Sequence, residues 1–280
     1  MVNSPPPSHV LVAFGAADEA VPLPGGQGGT WRAGPIVVKP TGSAEETAWR
    51  AEILDALPES ADFRVARPVR ASGGTPSGRG TWTADGWEAW HLVAGRTDPH
   101  RTQDVVRTGE AFHAALAALA PGRPGFLDTR DDAWTRADAL SWDLDHEAEA
   151  DTSDGSDGAF GMLAPLLAAR TPLTTGDEQP VHGDLLGNVL FADGLPPAVI
   201  DWPVYWRPPA WASAVAVVDA LLWYEGDPGL LTPWLRDPCR HQLLLRALIY
   251  RVATTREAGR PAEATYWPVA KLVLEGRQGR

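Results

Sequence analysis

The hydrophobic pattern of this chain changes once, between Gly95 and Pro99. Before that point, short β-branched and aromatic runs alternate with Gly, Pro and Ser clusters, which is typical of strands joined by turns. Beyond it, apolar residues recur at helical spacing, as in GEAFHAALAAL and CRHQLLLRALIY. The pattern predicts an α+β protein with two lobes, residues 1–93 forming an antiparallel β-sheet with one helix and residues 94–280 being mainly helical.

The helix of the first lobe is predicted over residues 43–57. Ser43 stands three residues before Glu46, which is the spacing of a capping box at a helix N-terminus. A helix turns about 100° per residue. Glu46 therefore lies on the same stripe as Trp49 and Ile53, whereas Glu52 falls to one side.

Composition limits the partners that this chain can have. With 24 basic and 36 acidic residues its net charge is −12, and such a surface repels the phosphate backbone of nucleic acids. A cationic small molecule is a more compatible partner. The single cysteine, Cys239, can form no intramolecular disulfide, so we expect a cytoplasmic location. No segment approaches the roughly 20 apolar residues of a membrane span, and no membrane contact is expected. The oligomeric state is not indicated.

A glycine-dense segment precedes the strand-like run Ile36-Val37-Val38-Lys39, which ends at Pro40. Glycine lets backbone N–H groups approach a phosphate closely, and a lysine at the strand end supplies a compact positive charge. A plain hairpin and a solvated lysine are the alternatives. Lys39 is one of only two lysines in an arginine-rich chain, which favours a chemical role. The residues of the candidate phosphate-binding loop are Gly25, Gly26, Gln27, Gly28 and Gly29.

The most informative segments are HGDLLGNVLF at 182–191 and VIDW at 199–202. Asp184, Asn188 and Asp201 each border apolar, strand-like residues, so they are expected on adjoining loops. Side chains with oxygen donors hold Mg²⁺ while leaving places for substrate phosphates. Phosphoryl transfer requires such a site, together with a carboxylate that orients the attacking hydroxyl and a lysine at the phosphates. Turn and cap positions are the alternative for these residues.

With these segments the chain resembles the aminoglycoside phosphotransferase and choline kinase-like family, small-molecule kinases of the protein-kinase-like fold. The resemblance rests on HGDLLGNVLF, VIDW, the PGGQGGTW loop and VVKP, and it covers residues 21–225. It implies transfer of the γ-phosphoryl group of ATP or GTP, with Mg²⁺, to a hydroxyl of a small molecule.

The resemblance also implies roles for individual residues. Asp184 would be the catalytic base, Asn188 and Asp201 the metal ligands, and His182 an organiser of the catalytic loop. Lys39 would bind phosphate. Its helical partner would be Glu46 or Glu52, of which the helix stripe favours Glu46. The adenine would hydrogen-bond to the backbone of the connecting segment Glu88 to Val93, where the nearest residues are Trp90, His91 and Leu92.

Two departures from the family pattern leave a second hypothesis open. Only four residue steps separate Asp184 from Asn188, where most members have five. The usual Gly-Asp-Pro-x-x-Asp segment is replaced by residues 207–212, which contain no acid, and Asp219 is the candidate replacement carboxylate. The alternative to an active kinase is therefore a pseudokinase that binds nucleotide or ligand without turnover.

The acceptor molecule is only broadly indicated. Aromatic residues after Asp201 either pack in the core or form a wall that recognises an amine by cation–π contact. The acidic stretch from Asp143 to Gly158 is either a solvated loop or a surface that attracts a polycationic acceptor. We therefore expect a cationic or sugar-like acceptor. The aromatic residues in question are Trp202, Tyr205, Trp206 and Trp211.

Overall fold

The computed structural model describes residues 4–24, 28–72, 80–119, 121–144, 160–174 and 176–276. The candidate loop residues Gly25, Gly26 and Gln27, and the acidic residues 145–158, lie outside the described residues. The chain divides into two compact units. The first contains residues 1–96, 115–126 and 190–200, and the second contains residues 97–114, 127–189 and 201–280. The nucleotide-binding and catalytic roles of residues 1–93 and 94–280 stay predictions.

The first unit is built on an antiparallel sheet in the order β1-β2-β3-β7-β5, with β6 pairing on β7. Alternate residues of β2 and β3, such as Ala33, Ile36 and Val38, are buried, and the first helix adds Val10 and Phe14 to the same core. The elements of this sheet region are α1 (Ser8–Ala13), β1 (Val21–Pro22), β2 (Trp31–Ala33), β3 (Ile36–Pro40), α2 (Ala44–Ala56), β5 (Pro68–Val69), β6 (Thr83–Ala84) and β7 (Trp87–His91).

Helix α2 begins where the sequence predicts it. The Ser43 hydroxyl accepts a hydrogen bond from the Glu46 N–H at 3.3 Å, which satisfies one of the donors that a helix N-terminus leaves unpaired. Glu45 and Glu46 in the first turn also suit the positive end of the helix dipole. The predicted helix is confirmed at Ala44–Ala56.

A second sheet has the order β4-β11-β10-β8, in which β11 and β4 are parallel. Gly95 lies beside β10, where an added Cβ would stand 2.8 Å from the Leu190 Cβ. Only glycine allows the backbone to approach so closely. The strands of this sheet are β4 (Arg64–Val65), β8 (Arg96–Thr97), β10 (Val189–Ala192) and β11 (Leu195–Val199).

The second unit is mainly helical. Helices α7 and α9 are buried over most of their length, so they form the centre of this unit rather than an amphipathic surface layer. The same unit contains the antiparallel pair of β9 with β12. The elements are α3 (Thr102–Leu119), α4 (Phe126–Thr129), α5 (Ala133–Trp142), α6 (Leu163–Ala168), β9 (Gln179–His182), β12 (Val204–Arg207), α7 (Pro209–Trp223), α8 (Thr232–Leu235), α9 (Pro238–Glu257) and α10 (Tyr266–Glu275), with 3₁₀ helices at Pro99–Arg101 and Pro228–Leu231.

The predicted fold class is confirmed by this architecture, because a sheet region with one capped helix precedes a region built from helices. Across the described ranges, no helix combines the length and the hydrophobicity that crossing a bilayer would require. Three of the four aromatic residues after Asp201 pack in the core, whereas Trp206 is only partly buried. Trp202, Tyr205 and Trp211 are at most 4% exposed, and the Tyr205 and Trp211 rings lie 5.5 Å apart.

Candidate active site

The glycine-dense segment lies in the sequence between β1 and β2, which pair antiparallel. The Leu23 N–H donates to the Thr30 carbonyl at 2.9 Å, which closes the loop. Gly28 has a φ of +79° with no heavy atom within 4 Å of an added Cβ, so this residue needs glycine for its backbone conformation rather than for space. The phosphate-binding role of Gly28, Gly29 and their neighbours stays a prediction.

Lys39 lies directly opposite Glu88 in the pairing of β3 with β7. Residues opposite each other in an antiparallel pair share one face of the sheet. The Lys39 Nζ lies 3.4 Å from Glu88 Oε1, and the Glu88 side chain is only 2% exposed. The sheet register therefore gives the candidate phosphate-binding lysine a buried carboxylate as its neighbour.

Helix α2 supplies further partners for the Glu88 carboxylate. Arg50 Nη2 lies 2.6 Å from Oε1 and 2.8 Å from Oε2, Trp90 Nε1 donates to Oε1 at 3.0 Å, and the Thr47 hydroxyl donates to Oε2. Burial alone would raise the pKa of Glu88, but Arg50, Lys39 and the two neutral donors outweigh it and lower the pKa. Glu88 is therefore an ionised carboxylate at neutral pH.

Lys39, Glu88 and Arg50 line one cavity of the first unit together with Glu46. Glu52, the alternative partner considered from the sequence, is exposed and does not line this cavity. These positions favour Glu46 over Glu52, although its role toward the lysine stays a prediction. The other residues that line the cavity are Pro40, Gly42, Ser43 and Thr47.

The segment predicted to contact adenine is integrated into the first unit. The His91 N–H donates to the Arg67 carbonyl at 2.7 Å, and the Leu92 N–H donates to the Pro35 carbonyl at 2.8 Å. Trp90 is buried with its indole N–H on Glu88. Two backbone donors of this segment are thus already used, and its contact with a nucleotide base stays a prediction.

In the second unit, strand pairing brings the candidate catalytic loops to one place. β9 and β12 are antiparallel with His182 opposite Val204, and the Gly183 N–H donates to the Pro203 carbonyl at 3.3 Å. Asp184 follows β9 and Asp201 precedes β12, so both lie at the same end of this pair. Asp201 has a φ of +49°, a backbone conformation that is costly for a residue other than glycine and is enriched at functional sites.

Asn188 is held against Asp184 in spite of the short loop. Its Nδ2 donates to the Asp184 carbonyl at 2.7 Å and to Asp184 Oδ2 at 3.0 Å. Its own N–H donates to the Leu185 carbonyl at 2.9 Å. A four-step loop therefore places the amide beside the carboxylate.

Arg251, on helix α9, is a residue that sequence reasoning missed. Its Nη2 lies 2.6 Å from Asp184 Oδ1, and its Nε and Nη2 donate to the two oxygens of Asp219 at 2.7 and 2.6 Å. Burial raises the pKa of Asp219 to about 6, although Arg251 acts in the opposite direction. Asp219 remains ionised at neutral pH. The sequence carried no signal for Arg251 because it lies in an apolar helical run far from the motifs.

Two histidines fix the backbone of the catalytic loop. The Asp184 N–H donates to His182 Nδ1 at 3.1 Å, and the His182 N–H donates to His113 Nε2 at 3.0 Å. His182 is fully buried and His113 is 1% exposed. Burial, followed by the proximity of His182, lowers the pKa of His113 to about 3. His113 is therefore a neutral core histidine.

Gly183, between His182 and Asp184, is required to be glycine for a steric reason. A Cβ added there would stand 2.3 Å from the Tyr205 ring, well inside contact distance. Tyr205 is fixed in turn by a hydrogen bond to the Tyr250 hydroxyl at 2.9 Å. Glycine at this position allows the turn after β9 to pack on the aromatic core.

The donor set fits magnesium better than a metal bound entirely by protein. Among the residues that the structure describes, no group of three or more His, Cys, Asp and Glu side chains is placed to hold a metal ion. Mg²⁺ is commonly bound by one or two protein oxygens and completed by substrate phosphates and water. The Asn188 amide and the Asp201 carboxylate offer oxygen donors of this kind, and their role as Mg²⁺ ligands stays a prediction.

These features define a chain with a kinase-like fold and a candidate phosphotransfer site. The model of the phosphotransferase enzyme family (APH) matches residues 29–235, which is more than half of the chain, and the protein belongs to this family. The predicted family resemblance is thereby confirmed. The comparison with curated proteins found no match.

Solved structures of small-molecule kinases share the fold along nearly the whole chain. A thermostable aminoglycoside phosphotransferase APH(4)-Ia variant, in ternary complex with ADP and hygromycin B, has a TM-score of 0.59 at 12% identity, covering 97% of this chain and 98% of that one. An aminoglycoside phosphotransferase from Alicyclobacillus acidocaldarius has a TM-score of 0.53 at 17% identity, covering 99% and 94%. Choline kinase LicA from Streptococcus pneumoniae has a TM-score of 0.51 at 11% identity, covering 96% of each chain. At these identities the likeness concerns the fold.

Replacing the buried carboxylate of the first unit tests the cluster around Lys39. We expect Glu88→Gln to lower the free energy of unfolding by about 3–5 kcal/mol, because removing one partner leaves buried cations uncompensated. Urea denaturation measures the change. The exposed Glu52→Gln is the matched control, with an expected effect within about 0.5 kcal/mol. A loss below about 1 kcal/mol for Glu88→Gln would show that the cluster contributes little.

Acid should destabilise the second unit through His113. The folded pKa is about 3 and the unfolded value is about 6.5, so the unfolded state binds the extra proton. Stability is therefore lost as the pH falls from about 6.5 towards 3. For one such group the loss between pH 7.5 and 5 is about 2 kcal/mol.

The difference in unfolding free energy between wild type and His113→Gln isolates this contribution. Glutamine keeps an acceptor for the His182 N–H but does not titrate, so the difference should shrink by about 2 kcal/mol from pH 7.5 to 5. The exposed His100→Gln should follow the wild type at both pH values. Parallel pH dependence of wild type and His113→Gln would contradict the assignment.

Proposed function

We propose that this phosphotransferase moves the γ-phosphoryl group of ATP to a hydroxyl of a small cationic or sugar-like molecule in the cytoplasm. The observation that carries the proposal is the environment of Asp184. Its carboxylate is 44% exposed on a short loop, contacts Arg251 and accepts from Asn188. A fixed and accessible carboxylate is what a hydroxyl needs for orientation and for removal of its proton.

Each candidate residue has a task in this reaction. Asp184 orients the acceptor hydroxyl and takes up its proton, while His182 and His113 hold the loop backbone. Lys39, kept in place by Glu88, offers a positive charge to the nucleotide phosphates. Asn188 and Asp201 would hold Mg²⁺, which neutralises charge on the β- and γ-phosphates when bound.

The choice of ATP rests on the related structures. One relative was crystallised with ADP and hygromycin B, and another APH(4)-Ia variant with AMP-PNP and hygromycin B. Both ligands are adenine nucleotides, so we propose ATP rather than the GTP that the sequence left open. The segment Trp90, His91 and Leu92 remains our proposed location for the adenine.

The acceptor class rests on charge and on the same relatives. The chain carries a net charge of −12, which raises the local concentration of cations and disfavours polyanions. Relatives of the same fold are described as acting on spectinomycin or choline, and the APH(4)-Ia complexes hold hygromycin B. We therefore propose amino sugars and quaternary or primary amines with a free hydroxyl as the acceptors to test first.

Removing the proposed base tests the function directly. With Mg·ATP and a panel of amino sugars and hydroxyl-bearing amines, we expect Asp184→Asn to lower kcat by about 10²–10⁴-fold, the usual contribution of a general base. The dissociation constant of ATP should stay within about twofold, because this carboxylate acts on the acceptor. Product formation is measured by mass spectrometry and nucleotide binding by calorimetry.

Asp193→Asn, an exposed aspartate in the turn between β10 and β11, is the matched control and should keep wild-type turnover. Full turnover by Asp184→Asn would remove this residue from its proposed role. If Mg·ATP stabilises the wild type but no acceptor is phosphorylated, the pseudokinase alternative is supported instead.

A further inference from the structure

We propose that Arg251 is a positioning residue for the transfer reaction: clamped by Asp219, its guanidinium fixes the orientation of the Asp184 carboxylate. The inference rests on the proposed role of Asp184 as the base. It adds a residue on helix α9 that lies outside the HGD and IDW motifs.

Arg251 has little freedom of its own. It is 5% exposed, and Asp219 on helix α7 is 1% exposed. The two side chains form a fork in which Nε and Nη2 each bond one carboxylate oxygen, at 2.7 and 2.6 Å. Paired hydrogen bonds of this kind restrict both distance and plane. Because α7 and α9 are central helices of the second unit, the guanidinium is held by the core itself.

The Asp184 side chain is intrinsically less constrained than that of Arg251. It follows a strand on a loop, and without a partner its half-exposed carboxylate would rotate about two side-chain bonds. Arg251 Nη2 holds Oδ1 at 2.6 Å and Asn188 Nδ2 holds Oδ2 at 3.0 Å. Each carboxylate oxygen has two lone pairs, so these bonds leave acceptor capacity for a substrate hydroxyl. A base that is already oriented avoids the entropy loss of ordering it in the transition state.

Sharing the guanidinium between two carboxylates matters for the charge of the site. Asp184, Asp219 and Arg251 together carry a net charge of −1 when all three are ionised. Asp219 takes two of the hydrogen bonds and offsets the charge of the buried arginine. Asp184 is therefore oriented without being reduced to one half of a neutral ion pair.

The contact between Arg251 and Asp219 also bears on residues 207–212, the segment after Asp201 that contains no acid. The sequence named Asp219 as the candidate replacement for the missing carboxylate, and the structure places it behind Arg251 rather than on the loop. Its effect on the catalytic loop passes through the arginine. Lysine could not reproduce it, because an ammonium group has no planar fork with which to hold two carboxylates.

The kinetic test compares Arg251→Met, Arg251→Lys and Asp219→Asn with wild type, using ATP hydrolysis and the best acceptor of the panel. We expect Arg251→Met to lower kcat by about 10–100-fold, the cost of a misplaced catalytic group. KM for ATP and the dissociation constant of ATP should change less than twofold. The kcat values of Arg251→Lys and Asp219→Asn should lie between those of Arg251→Met and wild type. In a further variant, Arg251→Ala, added ethylguanidine should restore part of the activity.

The matched control is Arg246→Met on the same helix. Arg246 is 2% exposed but bonds Gln242 and the Thr171 carbonyl instead of a carboxylate of the loop. The Arg246→Met substitution should lower Tm without lowering kcat of the folded protein. If Arg251→Met loses stability but no kcat, or if Arg246→Met loses kcat equally, Arg251 is only structural and the proposal is overturned.

A crystal structure of Arg251→Met, or of Asp219→Asn if the former does not fold, gives a readout independent of turnover. We expect the Asp184 carboxylate to leave its wild-type rotamer or to lose order. An unchanged, ordered carboxylate would overturn the positioning role even if the enzyme is inactive. Failure of the proposed function is recognised separately, by full activity of Asp184→Asn in the same assays.

Discussion

A buried carboxylate held by an arginine from a helix is the interaction on which both candidate clusters depend. Glu88 and Asp219 are 2% and 1% exposed, and burial penalises the charge of each. Arg50 stabilises the charge of Glu88, and Arg251 stabilises the charge of Asp219, in each case through short contacts to both carboxylate oxygens. In each unit a candidate functional side chain contacts this pair: Lys39 contacts Glu88, and Asp184 contacts Arg251.

Local sequence rules predicted the parts of the structure that local physics determines. Ser43 caps its helix because a hydroxyl three residues before an N–H can reach it, and the strands on either side of the glycine-dense segment pair antiparallel. The family motifs identified Asp184, Asn188 and Asp201, and β9 pairs with β12 in a register that brings the two aspartates to one end. These conclusions needed only short stretches of chain.

The cluster partners could not be predicted in the same way. Placing Glu88 beside Lys39 requires the register of β3 on β7, strands separated by a helix and three other strands. The sequence argument considered only helix α2 and so found Glu46. Arg251 stands on a helix that the sequence presents as an apolar run, and only the packing of α9 on α7 brings it to Asp219. Long-range contacts between charged residues leave no periodic signal.

The shortened loop illustrates how such contacts change the meaning of a motif. By sequence alone, a missing residue between Asp184 and Asn188 argues for an impaired site. In the structure, the Asn188 amide bonds both the carbonyl and the carboxylate of Asp184, while Arg251 holds the other carboxylate oxygen. The orientation of Asp184 then depends on the helical core as well as on loop length. On our proposal, the buried Arg251 supplies a constraint on the Asp184 carboxylate that does not depend on the length of the catalytic loop.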